Sequence, residues 1–570
     1  MHPAGIKRMS MNLRIVAALL MSLPALAQPP GIEQAAPVHM GGIDQAARVG
    51  VGSVEVRLTL DLALELALKN NLAIEVDRTQ LDAAAQSLTG AKGAFDTVTL
   101  WQPSVSDMTT PTTNTLFAPD GKLKDKAVNW NMGLRQKTPW NGVSLNVAFD
   151  NSRQTTTNVI TALNPFYTSR LSAAISAPLW RGRRIDRDRA EIRIRSKAVE
   201  QSRADFETRV VDVITIAQSA YWDLAATRED AKVAAMAVNL AQEQLGRTRR
   251  AIEAGVLAPV EMAASEAELQ RRVDTYVTAV GAVTVTENML KNVIAGGRSD
   301  EIWGKRVIPA DTRPLDIPDT DVIAGMSSAI ARRPELRSLD LQKAQAEVQK
   351  SLASDSTRPT VSLTGSYSVA GLAGAQATTA SPFTSLFGSI TDRLNTLSGL
   401  QGLTPLPAAT GGGLPASLVG GYGASLSNLI SGDFPTLQAG LLIEWSPRNR
   451  TAEAALAQAG LVERRLNIVR RQLEQAIEAE VRNSLQGLAT ARQRIQAAQA
   501  SERAAQEKLD SEIRLFQTGE STNFLVLTRQ NELIDSKRRA VTATLLLNRT
   551  VAQAQKALGT ALSSHNIKLD

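Results

Sequence analysis

Apolar side chains recur along two very long segments at the spacing of packed α-helices. After Val481 they stand at Leu485, Leu488, Ile495, Ala498, Ala505, Leu509 and Ile513. These intervals are mostly three, four or seven residues, which is the heptad pattern of coiled-coil packing. The segments, about 185–253 and 449–517, therefore predict helices roughly 100 Å long, because an α-helix rises ~1.5 Å per residue. A soluble helical bundle would show the same periodicity.

Four shorter segments instead alternate apolar with small or polar residues, the period of a β-strand. They are Val143 to Phe149, Leu171 to Ala177, Val361 to Tyr367, and Leu437 to Ile443. Such strands suit a membrane barrel with lipid outside and water inside, although an ordinary antiparallel sheet with a solvated face alternates in the same way. Four strands cannot close a barrel, which needs about eight. Several copies of the chain are therefore expected to contribute strands.

The two halves of the sequence repeat one order of elements. Ala67 to Asn71 aligns with Ala329 to Arg333 at an offset of 262, and Ala254-Gly255 aligns with Thr518-Gly519 at 264. Each half predicts a helix, a β-rich region, a long helix, a turn and a returning helix. The predicted domains are a first repeat 57–312 with its hairpin at about 97–180, a linker 313–320, a second repeat 321–560 with its hairpin at about 359–446, and a tail 561–570.

The N-terminus predicts an exported protein. A basic start, Lys7 to Arg14, precedes a short apolar run, Ile15 to Leu26, and Ala25 to Ala27 is a small-residue cleavage pattern. We therefore expect residues 1–27 to be a secretory signal peptide, with Met9 and Met11 as alternative starts, followed by an N-terminal segment 28–56. No later apolar run approaches the ~20 residues that a transmembrane helix requires.

Composition excludes several classes of function. The 570 residues carry a formal net charge of +7, which becomes +4 when the three positive charges of the signal peptide are subtracted, so no nucleic-acid partner is expected. The chain has no cysteine, which excludes disulfides, thiolate metal sites and an N-terminal lipid anchor on cysteine. Its three histidines, His2, His39 and His565, lie near the ends. We therefore expect no enzyme activity, no cofactor and no metal site.

Five short motifs follow one another along the chain: Leu58 to Asn71, Ala177 to Gly182, Tyr221 to Leu224, Ala254 to Val256, and Thr518 to Glu520. Taken in order and duplicated, they resemble the TolC family of outer-membrane efflux and secretion channels over roughly residues 55–560. The resemblance implies a membrane β-barrel joined to a long α-helical coiled-coil barrel, with four strands per chain in a shared twelve-stranded trimeric barrel. It also implies a location in the outer membrane with the helices in the periplasm, and as partners outer-membrane lipid, a periplasmic adaptor protein and an inner-membrane pump.

The resemblance also implies roles for individual residues. The turns that would contact the adaptor contain Gly255, Val256, Leu257, Gly519, Glu520 and Ser521. The tip and gate of the channel would contain Glu261, Phe524 and Leu525, and the strand-to-helix junctions Pro178, Gly182 and Pro447. Glu261 would form an acidic ring in three copies, whereas Leu525 at the equivalent position makes the second layer hydrophobic. An ordinary tight turn, and a solvated carboxylate at a helix start, remain open for these positions.

Two features depart from the family pattern. The first half contains an extra candidate hairpin, Val128–Gln136 and Val143–Asn151, and the second half contains an insertion, 373–432, with very few charges. The insertion could be an extracellular loop, an adhesive loop or a plug. The expected function is a passive outer-membrane duct for small molecules such as drugs, metals or other toxic solutes. The alternatives are an exit duct for type I protein secretion and, in another class, a periplasmic coiled-coil adaptor or structural protein.

Overall fold

The structure is a computed structural model that describes residues 48, 50–114, 118, 120–311, 321–377, 382–406 and 414–568. The expected signal peptide, the linker 313–320 and residues 28–47 and 49 of the N-terminal segment lie outside the described residues. Over the described ranges, no helix combines the length and apolar character needed to cross a membrane.

Helices make up most of the described chain. They are α1 Leu60–Asn70, α2 Leu72–Lys92, α3 Arg187–Glu253, α4 Val260–Ile294, α5 Val322–Arg332, α6 Pro334–Ser356, α7 Pro382–Leu400, α8 Tyr422–Ser431, α9 Arg450–Gln517, α10 Asn523–Ala557 and α11 Ala561–Ser564. The strands are β1 Glu55–Leu58, β2 Val98–Pro111, β3 Lys122–Lys137, β4 Ser144–Thr156, β5 Leu163–Pro178, β6 Arg306–Pro309, β7 Thr360–Gln376 and β8 Pro435–Glu444.

The helices follow a duplicated plan. In chain order α1, α2, α3 and α4 correspond to α5, α6, α9 and α10, and α3 and α9 have 67 and 68 residues. The opening helix of each half is split rather than continuous as expected. The Asn71 side chain accepts a hydrogen bond from the Ala73 amide and begins α2, while Pro334 begins α6 because it lacks an N–H.

Small and aliphatic residues form the seams between the long helices. One buried cluster between α9 and α10 contains Leu488, Ala491, Ile495, Ala543, Leu547, Val551 and Ala554. Alanine at these positions lets two backbones approach closely, and each helix buries only a narrow stripe. The long helices therefore pack as extended hairpins.

One sheet contains six strands, so the expectation of four strands per chain is wrong. Its order is β2-β3-β4-β5-β7-β8, and every neighbouring pair is antiparallel. The twelve-stranded trimeric barrel that the resemblance implies concerns several copies and stays a prediction. A separate small sheet pairs β1 with β6 in parallel.

The sequences of the additional strands, β2 and β3, lack the usual pattern of a β-strand. β2 contains Pro103 and Pro111, and proline normally argues against a strand because it cannot donate to the ladder. The first half of β3 is charged, with Lys122, Lys124 and Lys126. Both strands nevertheless pair without interruption over fourteen residues, from Val98 opposite Arg135 to Pro111 opposite Lys122. The predicted extra hairpin is part of this larger sheet.

The two faces of the six-stranded sheet differ in chemistry. One transverse row on the apolar face contains Trp101, Met132, Phe149, Leu171 and Val369. The opposite face bears a cavity of about 710 Å³ whose lining includes Ser144, Asn146, Ser176, Thr364, Ser366 and Gln438. Because one cavity collects residues from β3 to β8, the sheet curves around its polar face.

Candidate functional site at the hairpin tips and along the sheet

Both tip turns adopt the same backbone conformation. Gly255 has φ +74° and Gly519 has φ +81°, the left-handed region in which glycine costs least. The amide after each glycine donates back into the preceding helix, Val256 to the Ala251 carbonyl at 2.9 Å and Glu520 to the Leu515 carbonyl at 2.9 Å. The amide of each glycine also donates to the same helix, so two hydrogen bonds close each helix end in a Schellman-type turn. The repeat therefore extends to hydrogen-bond geometry at the tips.

The predicted contact residues of the two turns are mostly uncovered. Val256 is 75% exposed and Glu520 is exposed, whereas Leu257 and Ser521 are half-buried. The Ser521 hydroxyl donates to the Glu512 carboxylate of α9. Two equivalent turns thus present an apolar side chain in the first repeat and an acidic one in the second.

The predicted gate residues lie where the two hairpins meet. Glu261 is in the first turn of α4, and its Oε2 accepts a hydrogen bond of 3.2 Å from Asn523 Nδ2. Phe524, which follows Asn523 in the chain, is 73% exposed, and Leu525 is 37% exposed. Glu261 is therefore not a free carboxylate in one chain, since it joins the first repeat to the second.

Sequence reasoning missed the polar layer behind Glu261. Gln244 Nε2 donates to Asn523 Oδ1 at 2.5 Å, and both residues are buried. Nearby, Ser265 donates to the Thr248 hydroxyl at 3.2 Å, again between buried side chains. A buried polar group is stable only with partners, so this layer fixes how the hairpins pair at the tip. The available signal was polar residues inside otherwise apolar heptads.

Ion pairs continue this seam between α3 and α10. Arg538 makes two hydrogen bonds to Asp230, at 2.8 and 3.1 Å. Lys556 pairs with Asp212 at 2.7 Å nearer the other end. Both pairs join a first-repeat helix to a second-repeat helix, and the same seam also contains an apolar contact of Val233 and Ala237 with Ile534.

The strand-to-helix junctions hold the sheet on the helices. Pro178 is the last residue of β5, and Gly182 follows with φ +83°. The Gly182 amide donates to Asp355 Oδ2 of α6 at 2.6 Å. Pro447 lies in a turn between β8 and α9, two residues before the N-cap Asn449. These contacts fix the direction in which the long helices leave the sheet.

Part of the insertion packs on the apolar face of the sheet, opposite the cavity. Tyr422 in α8 lies 2.9 Å from Asn151 Oδ1, and Ser425 lies 3.1 Å from the Ser169 hydroxyl. Gly371 of β7 permits this approach, because a Cβ there would collide with the Ser425 carbonyl oxygen. Helix α8 therefore does not fill the polar cavity.

Comparison with solved structures identifies the fold. The chain is similar to the outer membrane channel CmeC of Campylobacter jejuni, with 16% identity over 88% of this chain and 86% of that one, and a TM-score of 0.58. It is also similar to the open state of the outer membrane channel MtrE of Neisseria gonorrhoeae, with 15% identity over 90% and 92% and a TM-score of 0.56. CusC gives 12% identity over 91% and 96%, with a TM-score of 0.58.

No protein-family model and no curated protein matches the sequence. At these low identities the structural likeness establishes the fold. The predicted resemblance to the TolC family of channels is confirmed at that level.

Proposed function

We propose that the chain is the outer-membrane channel of an export system that spans the periplasm. The observation that carries the proposal is the six-stranded sheet, which has one apolar face and one polar, cavity-bearing face. A sheet of this kind suits lipid on one side and water on the other. Helices roughly 100 Å long leave its lower end and supply a conduit below the membrane.

Three copies, a periplasmic adaptor and an inner-membrane pump complete the proposed system. The cargo is small molecules, such as drugs, metals or other toxic solutes. The chain is a conduit and not an enzyme. A periplasmic adaptor would share the helical hairpins, but it would leave the apolar face of the sheet in water, so the channel is favoured over that alternative.

The hairpin tips are the proposed gate and docking surface. Glu261 in three copies forms an acidic ring, with Phe524 and Leu525 as the apolar layer beside it. Gly255, Val256, Leu257, Gly519, Glu520 and Ser521 form the surface for the adaptor. Support comes from the hydrogen bond between Glu261 and Asn523 and from the two matching turns.

Fractionation of cells that produce the full chain tests the localisation. We expect the processed protein in the outer-membrane fraction, extractable only with detergent, and with the mass of three chains in solution. A protein that is released without detergent as a monomer would contradict the proposal and favour the adaptor.

Charge removal at Glu261 tests the gate. Glu261→Gln keeps a hydrogen-bonding oxygen for Asn523 but removes the charge, so cation preference and block by divalent cations should weaken while the trimer persists. Reversal potentials under a salt gradient measure the preference. The matched control is Glu266→Gln, five residues further along α4 and exposed. Equal selectivity in wild type and Glu261→Gln would remove Glu261 from the gate.

A further inference from the structure

Among the residues that the structure describes, no strand covers either edge of the six-stranded sheet. In β2, thirteen of fourteen residues are exposed, and in β8 all ten are exposed. Each edge presents unpaired N–H and C=O groups, although Pro103 and Pro111 in β2 and Pro435 in β8 lack a donor. In a bilayer each unsatisfied group is strongly destabilising, because no water can replace the missing partner. Six strands are too few to close on themselves, so both edges require strands from elsewhere.

The strand directions decide what can cover these edges. All neighbours are antiparallel, so β2 and β8, five positions apart in the order, run in opposite directions. The β8 edge of one copy can therefore continue into the β2 edge of another with the antiparallel pattern unbroken. An odd number of strands per chain would not allow this with a rotational axis.

The face chemistry also continues to both edges. On the apolar face β8 presents Leu437, Leu441 and Ile443, each more than half exposed, and β2 presents Trp101 and Val105 at 70% and 78%. The registers place Leu437 opposite Tyr367, and Trp101 opposite Met132, on this same face. A second copy thus extends the apolar band across the junction.

The β2–β3 hairpin is fixed to the junction below the sheet. Gly142, in the turn after β3, would bring a Cβ to 2.9 Å from the Gly182 carbonyl oxygen. Lys137 Nζ at the end of β3 lies 2.6 Å from Asp188 Oδ2 in α3. These contacts place the lower end of the hairpin level with the end of β5, so its strands belong to the wall of the conduit.

We infer that β8 of each copy pairs with β2 of the next, so that three copies of six strands close an eighteen-stranded barrel. The inference rests on the proposed function, which supplies the copy number of three. Because barrel diameter grows roughly linearly with strand number, eighteen strands give a lumen about 1.5 times as wide as twelve. The conduit is incomplete in one chain, since each copy supplies only part of its wall.

Disulfide cross-linking tests the pairing without interference, because the chain has no cysteine. Thr99→Cys on β2 is combined in turn with cysteine at Leu437, Ala439, Leu441 or Ile443 on β8. Within one chain the two edges are five strand spacings apart, about 24 Å at ~4.8 Å each, too far for a disulfide. Oxidation in the outer membrane should therefore link three chains for at least one combination.

The controls separate the possible outcomes. Thr99→Cys alone should form no linked trimer, and Ala173→Cys with Tyr367→Cys, direct partners on β5 and β7, should link within one chain and show that the oxidant reaches the sheet. Linked dimers as the largest product would overturn the inference in favour of twelve strands from two copies. A conducting channel that forms the disulfide between β5 and β7 but none between chains would overturn the β8–β2 pairing and leave the proposed function intact. If the wild-type protein neither conducted ions nor lay in the outer membrane, the proposed function itself would be overturned.

Discussion

The two repeats share their helices and differ in what they add to the sheet. The first repeat contributes four strands, β2 to β5, whereas the second contributes β7 and β8 with helices α7 and α8 between them. The long helices must match one another along roughly 100 Å, so their lengths are held nearly equal. An antiparallel sheet accepts a further hairpin at its edge without disturbing the rest, so the sheet is where the repeats can diverge.

Removing the β2–β3 hairpin from the first repeat should have the largest effect. Deletion of residues 98–137 leaves the first repeat with β4 and β5, the same number of strands as the second. The barrel should then have twelve strands and about half the cross-section, because diameter follows strand number. The largest polyethylene glycol that enters from the barrel side should become smaller. An unchanged size limit in a folded trimer would show that β2 and β3 do not line the lumen.

The next prediction concerns helix α8, which only the second repeat contains. Gly371→Val should displace α8 from the sheet, because its side chain would occupy the space of the Ser425 carbonyl, and overpacking of this kind costs about 1–3 kcal/mol. Limited proteolysis within 414–434 should become faster by roughly one to two orders of magnitude. The matched control is Gly365→Ala on the same strand, where a Cβ meets Ile175 at an ordinary 3.5 Å. Equal cleavage of the two variants would contradict the docking of α8.

The seam between the repeats should respond more weakly. Arg538→Gln removes the two hydrogen bonds to Asp230, and an exposed pair of this kind is worth up to about 1 kcal/mol. Channel opening, measured as open probability in bilayers, should rise by at most about fivefold. Arg529→Gln is the control, since Arg529 pairs with Glu512 and Glu532 inside the second repeat. A larger rise in open probability from Arg529→Gln would mean that the contacts between α3 and α10 do not control channel opening.

The smallest effect concerns the contacts that His565 makes with helices α3 and α1. His565 contacts Gln218 of α3 and lies 3.8 Å from Asp61 of α1. Burial lowers the pKa of His565 below its ordinary 6.5, and Asp61 only partly opposes this. The unfolded chain therefore binds more protons than the folded chain just below pH 6.5, so stability falls as the pH drops through that region. Thermal unfolding between pH 7 and 5 should show a steeper loss in wild type than in His565→Gln.

The sequence predicts the features that local pattern controls. The heptads specify α3, α4, α9 and α10, and the glycines at 255 and 519 mark the turns. β2 stays hidden because Pro103 breaks the local signature, although pairing with β3 stabilises the strand. Contacts between distant residues leave no local trace, so the Gln244–Asn523 layer and the docking of α8 at Gly371 appear only in the folded chain. The roles given to the tip residues stay predictions.

Planar-bilayer recording of the purified full chain at very low dose tests whether the molecule is a channel. Discrete, long-lived conductance steps with cation preference are the predicted result, because a polar lumen would continue into an acidic tip. A silent bilayer, with the same preparation soluble in the absence of detergent, would contradict the membrane assignment of the sheet and leave a periplasmic helical protein.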